Sequence, residues 1–132
     1  MAEGLGKILI ADDLEVVLKL EEILLKRTGC DVIKAKNGTE ALKKVQVERP
    51  DIVLLDLLMP EMNGDVVCKF IKSNDKLAHI TVIMVTSRGE KEDVERCRRA
   101  GCDHYLTKPI KQNELLGIVR DVIDEKGLVV AR

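Results

Sequence analysis

Pro50-Asp51-Ile52-Val53-Leu54-Leu55-Asp56 decides how this chain is read. Ile52 to Leu55 is a continuous apolar run, too short for a buried helix and half β-branched, which suits a strand covered on both faces. Pro50 punctuates the chain before it and an acid, Asp56, closes it. The stretch beyond, Leu57 to Gly64, holds Pro60, Asn63 and Gly64 and reads as a loop. Towards the N-terminus, Lys7-Ile8-Leu9-Ile10-Ala11 repeats the same grammar and ends in two acids, Asp12 and Asp13. Towards the C-terminus, Ile80 to Val85 is another such run and ends in Thr86-Ser87. Asp31 to Ala35 and Asp103 to Leu106 complete the set, the last followed by Thr107-Lys108-Pro109.

Helical patterns fill the gaps. Val16, Val17, Leu20, Ile23 and Leu24 recur at helical spacing until Gly29 stops them. Asn37-Gly38 turns the chain, and Ala41, Leu42 and Val45 mark a second helix. Val67, Phe70 and Ile71 mark a third. Glu90 to Ala100 is helical but highly charged, with a thin apolar stripe of Val94 and Cys97. Leu115, Leu116, Val119, Val122 and Ile123 form the last stripe. Strand and helix alternate five times, which predicts an α/β fold with a parallel sheet and helices on both faces. Right-handed crossovers then give a doubly wound, flavodoxin-like sheet of five strands in the order 2-1-3-4-5, with five helices. The length, 132 residues, fits one domain, expected over residues 7–125, with an N-terminal extension at 1–6 and a tail or linker start at 126–132.

Composition narrows the function. Lys plus Arg is 22 and Asp plus Glu is 23, so no basic field draws nucleic acid or anionic lipid. With no Trp, one Tyr and one Phe, a base-stacking surface is not expected. No apolar run reaches the roughly 18 residues of a membrane span, and Met1 to Gly6 has neither the cationic stretch nor the apolar region of a secretory signal. Cys30, Cys68, Cys97 and Cys102 form no CxxC pair, and with only His79 and His104 beside them zinc ligation is not supported. Reduced thiols in a cytoplasmic protein are expected. Gly4-Leu5-Gly6-Lys7 precedes a strand where a phosphate loop would follow one, so that reading fails.

In such a sheet ligands gather beyond the carboxyl ends of the strands, where the strand order reverses. Asp12 and Asp13 end the first strand and Asp56 the third, so three carboxylates meet there; Thr86 and Lys108 add a hydroxyl and an ammonium. Clustered carboxylates repel, and a divalent cation with oxygen ligands, Mg²⁺ or Mn²⁺, relieves them. The chemistry that fits is phosphoryl transfer to a carboxylate, with Asp56 as nucleophile and Asp12 and Asp13 as the metal pair.

This ordered set resembles the receiver domain of two-component response regulators. The pieces that carry the likeness are Asp12-Asp13, the run Pro50 to Asp56, the loop Met59-Pro60-Glu61-Met62-Asn63-Gly64, Thr86-Ser87 and Lys108-Pro109, within residues 7–125. The resemblance implies that Asp56 takes a phosphoryl group from a phosphohistidine on a sensor histidine kinase or phosphotransfer protein. It implies that Asp13, Asp56 and the Leu58 carbonyl bind Mg²⁺ directly, with Asp12 acting through water. Lys108, Thr86 and the backbone N–H groups of Leu57 and Ser87 are then expected on the phosphoryl oxygens. It further implies a switch in which Thr86 moves towards the phosphoryl group and Tyr105 turns inward. That would alter the face made by the fourth helix, fifth strand and fifth helix for a downstream protein target or attached output domain, as a monomer or a phosphorylation-dependent dimer. Leu58 and Arg88 occupy positions that tune phosphoryl lifetime in the family. The domain would be a phosphoacceptor with slow self-catalysed transfer and hydrolysis, not a turnover enzyme. Two alternatives are a Mg²⁺-dependent aspartyl-phosphate phosphohydrolase and a phosphate-independent adaptor. An apolar Leu58, where such hydrolases need a second acid, speaks against the first; the costly gathering of carboxylates speaks against the second.

Overall fold

The structure is a computed structural model and describes residues 4–87 and 89–132. Five strands, β1 (Lys7–Ala11), β2 (Asp31–Ala35), β3 (Ile52–Asp56), β4 (Thr81–Thr86) and β5 (His104–Thr107), alternate with five helices. The helices are α1 (Glu15–Lys26), α2 (Gly38–Glu48), α3 (Gly64–Ser73), α4 (Lys91–Ala100) and α5 (Gln112–Lys126). All strand pairs are parallel, in the order β2-β1-β3-β4-β5. This is the expected doubly wound sheet, with element ends shifted by a residue or so, as strand and helix ends are the least sharply specified parts of a pattern.

Each central strand is apolar throughout because both of its faces are covered. Leu9, Val53, Leu55, Val82 and Met84 point to one side and pack with residues of α2, α3 and α4, including Ala41, Val45, Val67 and Ile71. Ile8, Ile10, Ile52, Leu54, Ile83 and Val85 point to the other side and pack with α1 and α5 through Leu18, Leu25, Leu115, Val119 and Val122. The period of two along a strand thus sorts sequence neighbours into separate clusters.

The buried faces of two helices coincide only in part with their apolar patterns. On α1 the buried residues are Leu18, Glu21 and Leu25, whereas Val16, Leu20 and Ile23 are 71%, 64% and 56% exposed. The helix carries more apolar residues than its inner face needs: of the series that marks it, Val17 and Leu24 are half-buried and the other three face outward. On α4 the buried positions are Asp93, Cys97 and Ala100, with Val94 only half-buried.

Asn37 caps α2, its side-chain oxygen accepting the Glu40 N–H at 2.7 Å. At the far end of the chain, Gly127 takes a left-handed φ of 64° and the tail turns back against the molecule: the Gly6 N–H donates to the Val129 carbonyl at 2.8 Å, and Leu5 and Val129 form a parallel bridge.

Candidate functional site

Asp12 and Asp13 follow the last residue of β1, and Asp56 is the last residue of β3, the strand beside it. Their position at the reversal of strand order brings a carboxylate oxygen from each within 4.8 Å of the others. Asp12 is buried, Asp56 half-buried and Asp13 exposed. Asp12 is held from two sides: the Leu14 N–H donates to its Oδ1 at 2.9 Å, and the Lys108 ammonium donates to its Oδ2 at 2.6 Å. The same ammonium reaches Asp56 Oδ2 at 3.4 Å. Lys108 is placed there by the end of β5, where its own N–H donates to the Thr86 carbonyl at 2.8 Å. Residues separated by 96 positions in the chain are therefore joined by one proton-bearing group.

The loop after β3 is closed by close packing. The Gly64 N–H donates to the Leu57 carbonyl at 2.8 Å, and a Cβ on Gly64 would stand 2.2 Å from the Asp56 carbonyl oxygen. Only a residue without a side chain allows α3 to begin so near the end of β3. The Asn63 side-chain oxygen accepts the Met59 N–H at 3.2 Å and ties the loop across its width. Of the backbone donors expected at the phosphoryl group, the Leu57 N–H is already committed to the Val85 carbonyl at 2.8 Å. The donor that reaches the Asp56 carboxylate is the N–H of Leu58, one residue further on.

Burial raises the Asp56 carboxyl to about 6, against the pull of Lys108 and with the push of Asp12. Burial works to lower Lys108, but its hydrogen bond to Asp12 and the charges of Asp56 and Asp12 outweigh it and hold the ammonium above its ordinary value. Among the described residues one ammonium faces three carboxylates, which leaves excess negative charge, and every carboxylate donor is a hard oxygen. That donor set fits a divalent cation of the Mg²⁺ kind.

Thr86 is buried at the end of β4, one strand from Asp56. Tyr105 is half-buried on β5 and packs against the cluster shared by α3 and α4, with the Thr107 side chain as a hydrogen-bond partner. Leu58 is exposed beside the site. Arg88 lies outside the described residues.

One participant escapes a reading of the sequence. Glu21 is only 6% exposed and lines, with Lys108, Pro109 and Leu115, a cavity between α1 and the start of α5. Burial, followed by the charge of Asp12, raises its carboxyl to about 8, so it stays largely protonated at neutral pH. The available signal was its place in the series Leu18, Glu21, Leu25, which shares one helical face.

Comparison with known proteins agrees with this geometry. The response regulator receiver domain family matches residues 8–120. Protein PilG of Pseudomonas aeruginosa is 39% identical over 119 residues, covering 90% of this chain and 87% of its own length. The polar-differentiation response regulator DivK of Brucella anthropi is 36% identical over 118 residues, covering 89% of this chain and 96% of its own. Among solved structures, the signal receiver domain of a signal transduction histidine kinase from Syntrophus aciditrophicus superposes with a TM-score of 0.85 at 33% identity, covering 91% of each chain. The chain belongs to the response regulator receiver domain family. No helix among the described residues is long and apolar enough to cross a membrane.

Proposed function

We propose that residues 7–125 form a phosphoacceptor module and that Asp56 receives a phosphoryl group from a phosphohistidine on a sensor histidine kinase or phosphotransfer protein. The observation that carries this reading is the meeting of the Asp12, Asp13 and Asp56 carboxylates with Lys108 hydrogen-bonded to two of them. Asp56, raised to about 6, is still mostly ionised at neutral pH, as a nucleophile must be. Its oxygen attacks phosphorus while the bond from phosphorus to the donor imidazole breaks, and the departing nitrogen keeps the electron pair. Lys108 lies within reach of Asp56 Oδ2 and supplies positive charge to the phosphoryl oxygens. The Leu58 N–H and the Thr86 hydroxyl supply hydrogen bonds.

Asp13, Asp56 and the Leu58 carbonyl would hold Mg²⁺, or Mn²⁺, with Asp12 acting through water; the cation supplies charge neutralisation for the migrating group. Thr86 and Tyr105 are the proposed switch pair, and the face of α4, β5 and α5 the surface that reports to a downstream protein or output domain. That α4 buries only three residues, one of them an acid, suits an element that shifts at low cost. An apolar Leu58 has no group to orient an attacking water, which favours a phosphoacceptor over a hydrolase.

Incubation with acetyl phosphate and Mg²⁺, followed by intact-mass measurement, tests the reading. One phosphoryl adduct is expected, absent with a chelator and absent in Asp56→Ala. Rapid multiple turnover of acetyl phosphate without a lasting adduct would favour the hydrolase instead.

A further inference from the structure

The chain ends in a segment whose packing is closer than a tail requires. Gly127 ends α5 with a left-handed turn in which its N–H donates to the Asp124 carbonyl and the Leu128 N–H to the Ile123 carbonyl at 2.9 Å. This pair of bonds reverses the chain at once. Val129 then accepts from the Gly6 N–H at 2.8 Å, ahead of β1, and the Ala131 N–H donates to the Gly29 carbonyl at 2.8 Å, in the turn between α1 and β2. Both crossing points are glycines. A Cβ on Gly29 would lie 2.4 Å from the Ala131 carbonyl oxygen, and one on Gly6 would lie 3.2 Å from the Leu128 side chain. Val130 packs onto the cluster that holds Leu25, Cys30, Val119 and Val122. The segment therefore runs from the end of α5, past the entry to β1, to the end of α1, at the pole of the sheet away from Asp56.

We propose that Gly127–Arg132 is a strap that pins the C-terminal end of α5 to this pole, so that a signal raised at Asp56 is passed on by α4 and β5 without a swing of α5. The second half of this inference rests on the phosphoacceptor reading; the first does not. α5 is held along its length by Leu115, Leu116, Val119 and Val122 and at its end by the strap. α4 has a charged exterior and no comparable extension at its end.

Residue-resolved amide exchange on the full chain tests both halves. In the unliganded protein, the amides of Gly6, Leu128 and Ala131 should exchange at least tenfold more slowly than unstructured ones. Ala131→Pro removes one strap donor and Val130→Asp its apolar anchor; each should speed exchange of Val119 to Ile123 severalfold, while the amides of β3 and α3 stay as they were. If α5 keeps its full protection in both variants, the strap does not pin it and the proposal falls. Beryllofluoride with Mg²⁺, as a phosphoryl mimic, should then change exchange in α4 and β5 but leave Gly6, Leu128 and Ala131 within twofold. Parallel changes at those three amides would overturn the claim that α5 stays fixed. A protein that fails to bind beryllofluoride at all would count against the phosphoacceptor reading and the second half together, while the two variants still decide the first.

Discussion

Lys108 is the residue on which the site's electrostatics turn. It neutralises part of a cluster that would otherwise hold three carboxylates in mutual repulsion. Lys108→Met should destabilise the protein by about 3 kcal/mol without divalent cations, because Asp12 is left buried and uncompensated. Mg²⁺ should restore a large part of that loss, seen as a greater rise in unfolding temperature than in the unmodified chain, while acetyl phosphate labelling falls by about tenfold or more. Glu21 gives a second prediction, with a sign that follows from its raised carboxyl. Between about 4.5 and about 8 the unfolded chain has released this proton and the folded chain still holds it, so the residue's contribution to stability declines as pH rises through that window and is level above it. Glu21→Leu should remove the decline, gaining several kcal/mol, up to about 5, by pH 9 and little at pH 4. Urea unfolding at both pH values reads the difference. At Leu58, an asparagine would offer an amide able to orient water, so Leu58→Asn should shorten the lifetime of the phosphoryl adduct severalfold; an unchanged decay rate would remove Leu58 from any part in hydrolysis. The places of Asp12, Asp13, Asp56, Thr86 and Lys108 at one sheet edge are legible in the chain because each ends an apolar run or lies within two residues of its end. That of Glu21 is not, since an acid on a helix ordinarily marks the wet face and only its neighbours Leu18 and Leu25 reveal otherwise.

Among the elements, the strands were the easiest to read and the inner faces of the helices the hardest. A parallel strand buried on both sides leaves an unbroken apolar run, and β1, β3 and β4 all carry one. α1 misled in the opposite way: Val16, Leu20 and Ile23 satisfy helical spacing and yet face outward. α4 reads as a highly charged helix with a thin stripe of Val94 and Cys97, and nothing in the sequence sets its buried Asp93 apart from the acids around it. The loop from Leu57 to Gly64 was legible by its turn residues, whereas the reason for Gly64 is a contact that only the folded chain contains. Gly64→Ala should force the end of β3 and the start of α3 apart, costing about 2 kcal/mol or more and weakening Mg²⁺ binding with it. Cation titration followed by unfolding temperature measures both. A variant with native affinity and stability would show that the loop can open without moving Asp56.

For the molecule as a whole, the acidic cluster makes stability depend on the solution. A cation that binds only the folded chain adds about 1.4 kcal/mol at a concentration ten times its dissociation constant. Thermal unfolding should therefore shift upwards with Mg²⁺ in the native protein and hardly at all in Asp13→Ala, whose carboxylate is the exposed member of the three.

The two packing clusters on either side of the sheet carry a wider consequence. Ile71 and Val119 share no cluster, and five hydrogen-bonded strands stand between their helices. Truncating both should cost nearly the sum of the separate losses. The protein is in this sense a laminate: the filling of one side can be rewritten, by drift or by an engineer, while the other keeps its old vocabulary, and the carboxylates along the rim stay where the backbone ladder set them.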